Sequence, residues 1–281
     1  GILDGTPELR GAAPLTKSFK EQIEGSGANV IINGYKEIGG QEYIDTGYTE
    51  WGASGLAAVW AEENTRESIY NAFRRKETFA TTGSRIKVRF FGGYEIDDIF
   101  NKEDPINYAY SNGITMGSDL FQSENKIPQF MVWALRDLKR APLDRVQIIK
   151  GWTELSGKPH EKIYDVACAD GRRPDSKTKL CKDSRAKVNL NNCRISKNLG
   201  ADELKAVWQD PDFDPNLKAF YYVRVLENPT CRWSSWDAIK SGEIPRADLP
   251  ATIQERAWSS PIWYIPESEG ITIGNILPDD I

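Results

Sequence analysis

The stretch NAFRRKETFATTGSRIKVRFF, from Asn71 to Phe91, contains two different residue patterns joined by a run of small residues. Its first part ends a predicted helix in three consecutive bases, Arg74–Lys76. Its last part alternates apolar and basic residues, as a strand with one buried face does. Between them lies Ala80–Gly83, which carries two hydroxyls and a glycine. Such a hinge either shapes a ligand pocket or marks the boundary between two domains.

The segment before the hinge gives the strongest helix signal in the chain. Asn64 is predicted to cap this helix, with Glu67 three residues later returning the bond. Apolar residues then follow at helical spacing, at Ile69, Ala72 and Phe73. The three bases fall in the last turn, where cations complement the carbonyl end of a helix. We therefore expect a structural role for these bases, with phosphate binding as the alternative.

The region after the hinge is dominated by predicted strands. They are rich in β-branched and aromatic residues and are separated by turn signals: RIKVRFF (85–91), FMVWAL (130–135), DRVQIIKGW (144–152), EKIYDVAC (161–168), FYYVRVLE (220–227) and PIWYI (261–265). Short helices are predicted near 18–24 and near GADELKAVW (200–208). Strands without long intervening helices favour an antiparallel sandwich. The hinge is therefore predicted to lie at a domain boundary.

Composition limits the class of protein. The chain has 281 residues, of which 40% are hydrophobic and 27% charged, as in soluble globular proteins. A net charge of −5 gives no sign of a nucleic-acid partner, because duplex binders carry a basic face. No apolar run approaches the roughly 18 residues that a membrane helix needs. The start at Gly1 has neither a basic n-region nor an apolar h-region, so we expect the chain to be cut or part of a longer one.

The four cysteines are spaced C-x12-C-x11-C-x37-C, which matches no zinc pattern. Two disulfides are the preferred interpretation, with free buried thiols as the alternative. Of the three pairings, Cys168–Cys181 with Cys193–Cys231 closes the shortest loops and is the one we predict. Disulfides would place the protein in an oxidising compartment.

The chain lacks the residues that most catalytic motifs require. A Ser-His-Asp or Cys-His arrangement would need His160, which is the one histidine of the chain and is predicted to be an exposed strand-edge residue after a turn. No Walker loop, G-x-G-x-x-G or H-E-x-x-H motif is present. Neighbouring acids, as in 210–215, are predicted to be solvated turns, with calcium binding as the alternative. The basic stretch 158–187 is predicted to be a disulfide-stapled hairpin rather than an anion-binding surface.

Arginine and tryptophan are concentrated in TCRWSSWD (230–237) and ERAWSSPIWY (255–264). Arg232, Trp233 and Trp236 are the candidate ligand contacts, because stacked Arg–Trp pairs on an exposed surface bind sugars or proteins. The preferred interpretation is that they pack a loop onto the sandwich.

Several long stretches resemble one bacterial family: GILDGTPELRG (1–11), the segment from Glu50 to Tyr94, DRVQIIKGW, HEKIYDVAC (160–168), the segment from Asp210 to Ala238 and LPATIQERAWSSPIWY (249–264). This family is domain-of-unknown-function family 3604, in the polymerase-and-histidinol-phosphatase (PHP) superfamily. The resemblance covers nearly all of the chain and corresponds to the C-terminal portion of a family member.

The resemblance implies an α+β chain in two parts. Residues 1–85 would be the closing segment of a PHP-type distorted α/β barrel, and residues 86–281 an appended, antiparallel β-sandwich-like domain with a short helix and a cysteine-stapled hairpin. The family's divalent metal ions would bind upstream of this chain, so no metal ligand and no cofactor is assigned to it. Thr82 and Arg85 match the family's hinge and are weak candidates for residues near the catalytic site.

The function that the resemblance implies is a metal-dependent hydrolase, in particular a phosphoesterase, in the full-length protein. The N-terminal segment of the same protein would be its partner, and this chain alone would be inactive. The alternative is a non-catalytic binding or assembly module that contacts glycans or proteins. The cysteines and the resemblance together imply a periplasmic or extracellular location.

Overall fold

Two largely antiparallel sheets dominate the computed structural model of the chain, which describes residues 34–38, 41–45, 55–123, 126–196 and 198–267. The strands are β1 (Gly34–Ile38), β2 (Gln41–Asp45), β3 (Leu56–Val59), β4 (Thr78–Thr81), β5 (Lys87–Gly93), β6 (Gly113–Thr115), β7 (Asp119–Phe121), β8 (Gln129–Leu135), β9 (Leu143–Thr153), β10 (Pro159–Cys168), β11 (Val188–Asn189), β12 (Arg194–Ile195), β13 (Glu203–Gln209), β14 (Ala219–Glu227), β15 (Thr230–Cys231), β16 (Thr252–Ile253), β17 (Arg256–Ser259) and β18 (Ile262–Ile265). The α-helices are α1 (Arg66–Arg74), α2 (Pro105–Asn112) and α3 (Trp233–Ser241). A 3₁₀ turn spans Ile99–Asn101.

The larger sheet has eight strands and is built around β14. Its main order is β10-β9-β14-β17-β4-β3. On one side β14 pairs with β9 along its whole length. On the other side its first residues pair with β18 and its last residues with β17. Strand β7 adds to β18 in parallel, and the other pairings of this sheet are antiparallel. The larger sheet therefore collects strands from both ends of the described chain.

The smaller sheet, in the order β13-β8-β5-β6, packs against the larger one across a shared core. Apolar side chains from both sheets are fully or almost fully buried there, including Val88, Phe90, Val132, Val146, Ile148 and Val223. Phe130 of the smaller sheet and Tyr221 of the larger one bring their ring centroids within 4.3 Å. Burial stabilises each such side chain by about 1.5–3 kcal/mol relative to exposure. The two layers form a sandwich-like arrangement.

The six strands predicted from alternation and β-branched content are present, as β5, β8, β9, β10, β14 and β18. The helix predicted near 200–208 is wrong, because this segment contains strand β13. Leu204 is buried in the shared core, and Ala206 and Trp208 pack against it, so the segment has a period of two residues. Its Glu, Lys, Leu and Ala content favours a helix locally, and pairing with β8 overrides that preference.

Helix α1 begins one residue later than predicted. The hydroxyl of Thr65, not the side chain of Asn64, accepts the capping hydrogen bond, which comes from the Ser68 amide. Of the predicted apolar face, Ala72 is fully buried but Phe73 remains 50% exposed. Of the three predicted bases, Arg74 lies in the last turn of α1 and Arg75 is its C-cap residue, where the Arg75 guanidinium forms an ion pair.

That ion pair joins Arg75 to a buried carboxylate. Arg75 Nε lies 2.9 Å from Glu77 Oε2, and Nη2 donates to the Trp60 carbonyl at 2.8 Å. The Arg89 guanidinium stacks 3.5 Å above the Trp60 ring and lies 3.5 Å from Glu77. These contacts hold α1 against the strands that flank it.

The predicted hinge begins inside the larger sheet, with Ala80 and Thr81 in β4, and Thr82 and Gly83 lie in the turn after this strand. Strands β3 and β4 form a hairpin around α1, and β4 pairs with β17. Thr81 is the residue of β4 that lies opposite Ala257. Strands β3 and β4, which precede position 85, thus belong to the same sheet as strands that follow position 86. A domain boundary at 85 stays a prediction. Residues 1–33, which hold the first part of the implied barrel segment and the helix predicted near 18–24, lie outside the described residues.

Candidate functional site

An open groove crosses one end of the larger sheet, where four strands place their residues in one row. Trp263 on β18 lies opposite Phe220 on β14, and Phe220 lies opposite Gly151 on β9. Gly151 in turn lies opposite Glu161 on β10. Directly opposed residues of antiparallel strands point to the same face of a sheet. We call these four residues the cross-strand row.

Gly151 is required at its place in the row because the Phe220 ring lies over it. A Cβ atom added to Gly151 would meet Phe220 Cζ at 2.2 Å and Cε1 at 2.4 Å. Any other residue would have to displace the ring. The glycine therefore sets the position of Phe220.

Aromatic rings form the floor of the groove. The ring centroids of Phe220 and Trp263 lie 5.1 Å apart, and Trp263 is 38% exposed. Tyr222 stacks at 6.3 Å from Phe220 with an interplanar angle of 16°. Burial raises the pKa of Tyr222, and the nearby charge of Glu161 raises it in the same direction. Glu161 thus lies near the aromatic side chains of this face of the sheet.

At the same end of the sheet, on the face opposite to the cross-strand row, a histidine stacks on a tryptophan that packs against the shared core. The rings of Trp152 and His160 lie 5.1 Å apart with an interplanar angle of 14°. His160 Nε2 lies 2.6 Å from Glu154 Oε1. The predicted position of His160, on a strand edge after a turn, is confirmed, although its ring is only partly exposed.

The groove has a volume of about 830 Å³ and combines these rings with polar groups. Its polar lining includes Glu154, Glu161, Asn216 and Lys218. This volume is within the usual range of small-molecule sites, about 300–1,000 Å³. Aromatic faces beside carboxylate and amide groups are suited to a ligand that has both apolar faces and hydroxyl groups.

Thr82 and Arg85, the candidates from the family hinge, lie together in the turn after β4. The Thr82 hydroxyl donates to the Glu255 carboxylate and accepts from the Arg256 amide at 2.9 Å. The Arg85 amide donates to Asp137 Oδ2 at 2.9 Å. This turn lies beside the last residues of β14, whereas the groove lies beside the first residues of that strand. Seven residues of strand separate the two places by roughly 23 Å.

A pair of buried glutamates lies beneath this turn, and sequence reasoning missed both. Glu227 is fully buried and Glu255 is 5% exposed. Burial is the main cause that raises the pKa of Glu227 to about 8, with Glu255 and Asp137 acting in the same direction. Arg140 and the Ser84 hydroxyl oppose that rise. The pKa of Glu255 is also raised, chiefly by burial.

The predicted contact residues Arg232, Trp233 and Trp236 lie at the start of α3, away from the cross-strand row in the chain. Arg232 is buried, with an exposure of 8%, as the packing interpretation expects. Its guanidinium lies 5.5 Å from the Trp233 ring centroid, and both tryptophans are partly buried. Lys240 lies 5.2 Å from the Trp236 ring.

Both predicted disulfides are confirmed, as Cys168–Cys181 and Cys193–Cys231. The first one staples the loop after β10, where Pro174 and Cys181 also form a backbone bridge. The basic stretch that contains this loop uses Arg172 internally, because its guanidinium lies 2.7 Å from Asp144. Two disulfides are consistent with a periplasmic or extracellular location. Within the described ranges, no helix is both long and apolar enough to cross a membrane.

The acids of 210–215 are engaged by cations of the protein itself. Lys150 Nζ lies 2.6 Å from Asp210 Oδ2, and Asp210 also accepts from the Tyr221 hydroxyl at 2.8 Å. Asp212 binds Lys162 and the Tyr164 hydroxyl. These pairs leave the oxygen-rich arrangement that calcium needs unformed.

The PHP resemblance implies a metal centre upstream of this chain, so its ligands are not expected among the described residues. Among them, no three His, Cys, Asp or Glu side chains come together as a possible metal-binding group. His160, the one imidazole of the chain, is paired with Glu154. No metal ligand is therefore assigned to these residues.

Register explains why the groove could not be found from sequence. Gly151, Glu161, Phe220 and Trp263 are distant in the chain and become neighbours only through strand pairing. Trp263 belongs to a segment singled out for its Arg and Trp content, and its position on β18 was predicted. The buried glutamates gave no signal, since a carboxylate at a strand end usually faces solvent.

Comparison with known proteins gives one match. A search of curated proteins and a search of solved structures found no significant similarity. The family model described as "Protein of unknown function (DUF3604)" matches residues 15–266. Since the match spans most of the 281 residues, the chain belongs to the DUF3604 family.

Proposed function

We propose that the sheet-rich part of the chain is a saccharide-binding module whose site is the groove of the larger sheet. The observation that carries the proposal is the pair of a partly buried Phe220 and an exposed Trp263 on the groove floor, 5.1 Å apart and flanked by carboxylate groups. The apolar face of a sugar ring packs on such rings, while carboxylates accept hydrogen bonds from its hydroxyls.

The groove is built to bind without large rearrangement. The Phe220 ring is fixed over Gly151, where it lies too close to the backbone for any side chain to fit between them. Rigid aromatic side chains lose little conformational entropy when a ligand binds, so more of the contact energy appears as affinity.

Trp263→Ala tests the proposal. The expected result is that saccharides bound by the parent chain on a glycan array lose at least about tenfold in affinity, which corresponds to about 1.4 kcal/mol. Because Trp263 is 38% exposed, its removal should leave the fold intact. Tyr70→Ala is the matched control, since Tyr70 is 61% exposed on α1, outside the groove. An array on which the parent chain binds no saccharide contradicts the proposal.

For the full-length protein we propose a second function, metal-dependent hydrolysis, in particular of phosphoesters, with the metal ions held by an N-terminal segment of PHP type. The family resemblance supports it, as does the position of Thr82 against Glu255, where two buried carboxyl groups have raised pKa values. Groups of this kind exchange protons near neutral pH.

Phosphatase activity of full-length protein loaded with manganese or zinc tests this second function. Thr82→Val is expected to lower that activity, and the present chain alone is expected to have none. Full-length protein that stays inactive with every divalent metal tried would exclude the hydrolase.

A further inference from the structure

We propose that the groove binds a neutral, unbranched glycan laid across the strands, with at least three consecutive sugar units in contact. This inference rests on the saccharide-binding function proposed above and adds the class of ligand. It follows from the direction of the cross-strand row, from the chemistry of its two ends and from the charges that line the groove.

The direction of the row sets the length of the ligand. Trp263, Phe220, Gly151 and Glu161 are register partners on four adjacent strands, β18, β14, β9 and β10. Adjacent strands lie about 4.8 Å apart, so the row spans roughly 14 Å from the tryptophan to the glutamate. A single sugar ring covers only part of that distance, whereas an extended chain of three units reaches both ends.

The two ends of the row carry different chemical groups, so the groove has an aromatic end and a carboxylate end. Trp263 and Phe220 offer two ring faces side by side at one end. No side chain rises from Gly151, so the floor between Phe220 and β10 is formed by the Phe220 ring itself. Glu161, an exposed carboxylate, stands at the other end. Two sugar units stack on the rings, and a third unit donates hydroxyl hydrogen bonds to Glu161.

The lining charges favour a neutral ligand. The groove is lined by two carboxylates, Glu154 and Glu161, and by one lysine, Lys218. His160 is already held by Glu154 at 2.6 Å. An acidic sugar at the Glu161 end would face a like charge, which disfavours binding. Uronic-acid chains are therefore expected to bind more weakly than neutral chains of equal length.

Isothermal titration of the 281-residue chain with cello- and chito-oligosaccharides of one to five units tests the proposal. Affinity in at least one series should rise up to three units and then level off. Glu161→Ala should remove the gain of the third unit, about tenfold for the loss of a hydrogen bond to a charged group, and leave the disaccharide unchanged. Trp263→Ala should weaken every length. Glu62→Ala, an exposed glutamate before α1, is the matched control.

Each result separates the two claims. If a monosaccharide binds as tightly as a trisaccharide, or if Glu161→Ala weakens all lengths equally, the cross-strand glycan is excluded while saccharide binding stands. If oligogalacturonides bind more tightly than both neutral series, the neutral class is wrong. If no saccharide of any length binds, the proposed function itself fails, and the inference fails with it.

Discussion

Glu227 closes strand β14 as a fully buried carboxyl group whose two oxygens have no hydrogen-bond partner of normal geometry among the described residues. Its pKa is raised to about 8, mainly by burial. A buried, unpaired carboxylate costs several kcal/mol, so this side chain is best accommodated in its protonated form. The charge state of one residue therefore influences the stability of the whole chain.

We predict that stability falls as pH rises from about 5 to about 8. In the unfolded chain the Glu227 carboxyl loses its proton near pH 4.5, whereas in the folded chain it keeps it up to about 8. The folded state thus binds more protons in this window, and the free energy of unfolding decreases with pH, by about 1–3 kcal/mol. Glu255 acts in the same direction because its pKa is also raised. Urea denaturation at each pH measures the slope.

Glu227→Gln isolates the contribution of this residue, because the amide stays neutral at every pH. The variant should be more stable than the parent chain above pH 7 and should show a flatter pH profile. Glu161→Gln, an exposed change, should retain the parent slope. A Glu227→Gln profile as steep as that of the parent would show that other groups cause it.

Gly151 supports a second prediction at the level of one residue. Gly151→Ala should displace the Phe220 ring, since the added Cβ would come within 2.2 Å of it, and should cost about 1–3 kcal/mol of stability. Saccharide affinity should fall with it, because the groove floor moves. Gly171→Ala, at a φ of +67° outside the groove, should also cost stability but leave affinity unchanged. Unfolding and titration of both variants check this.

Helix α1 was predicted from sequence, but its N-cap is Thr65, one residue after the predicted Asn64. Asn64 and Thr65 both have side chains that cap helices, and only the structure distinguishes them. We predict that Thr65→Ala destabilises the chain by about 0.5–2 kcal/mol, whereas Asn64→Ala changes it little. Urea denaturation of the pair provides its own control, and equal effects would place the cap elsewhere.

Strands could be predicted from sequence where alternation and residue preference agree. FYYVRVLE and DRVQIIKGW satisfy both, and both are strands. ELKAVWQ alternates but consists largely of helix-favouring residues, so its pairing with β8 decided its structure. Asp104 caps α2 and is followed by Pro105. This pair is a helix start signal visible in the sequence, although no helix was predicted there.

For the whole molecule, the disulfides could be predicted because a rule of shortest loops selected the correct pairing. The cross-strand row could not be predicted, because the register between distant strands cannot be deduced from the sequence of either strand alone. The same holds for the burial of Glu227 and Glu255, which depends on how β14, β17 and the turn after β4 come together.

We predict that both disulfides contribute to global stability, and unequally. Their sequence separations are 13 and 38 residues. In the chain-entropy model such loops contribute about 3 and about 4 kcal/mol. Replacing Cys193 and Cys231 by serine should therefore lower the melting temperature more than the same change at Cys168 and Cys181. Thiol titration of native protein should find no free thiol, and four reactive thiols would overturn the prediction.

The place of β14 in the sheet also bears on how the protein folds. Its partners β9, β17 and β18 come from distant parts of the chain, so the groove forms only after long-range contacts have closed. Proteins with many such contacts fold slowly, because loop closure costs entropy before pairing repays it. A ligand of the groove would then bind only chains that have completed this step. Its binding would serve as a kinetic marker for the end of folding.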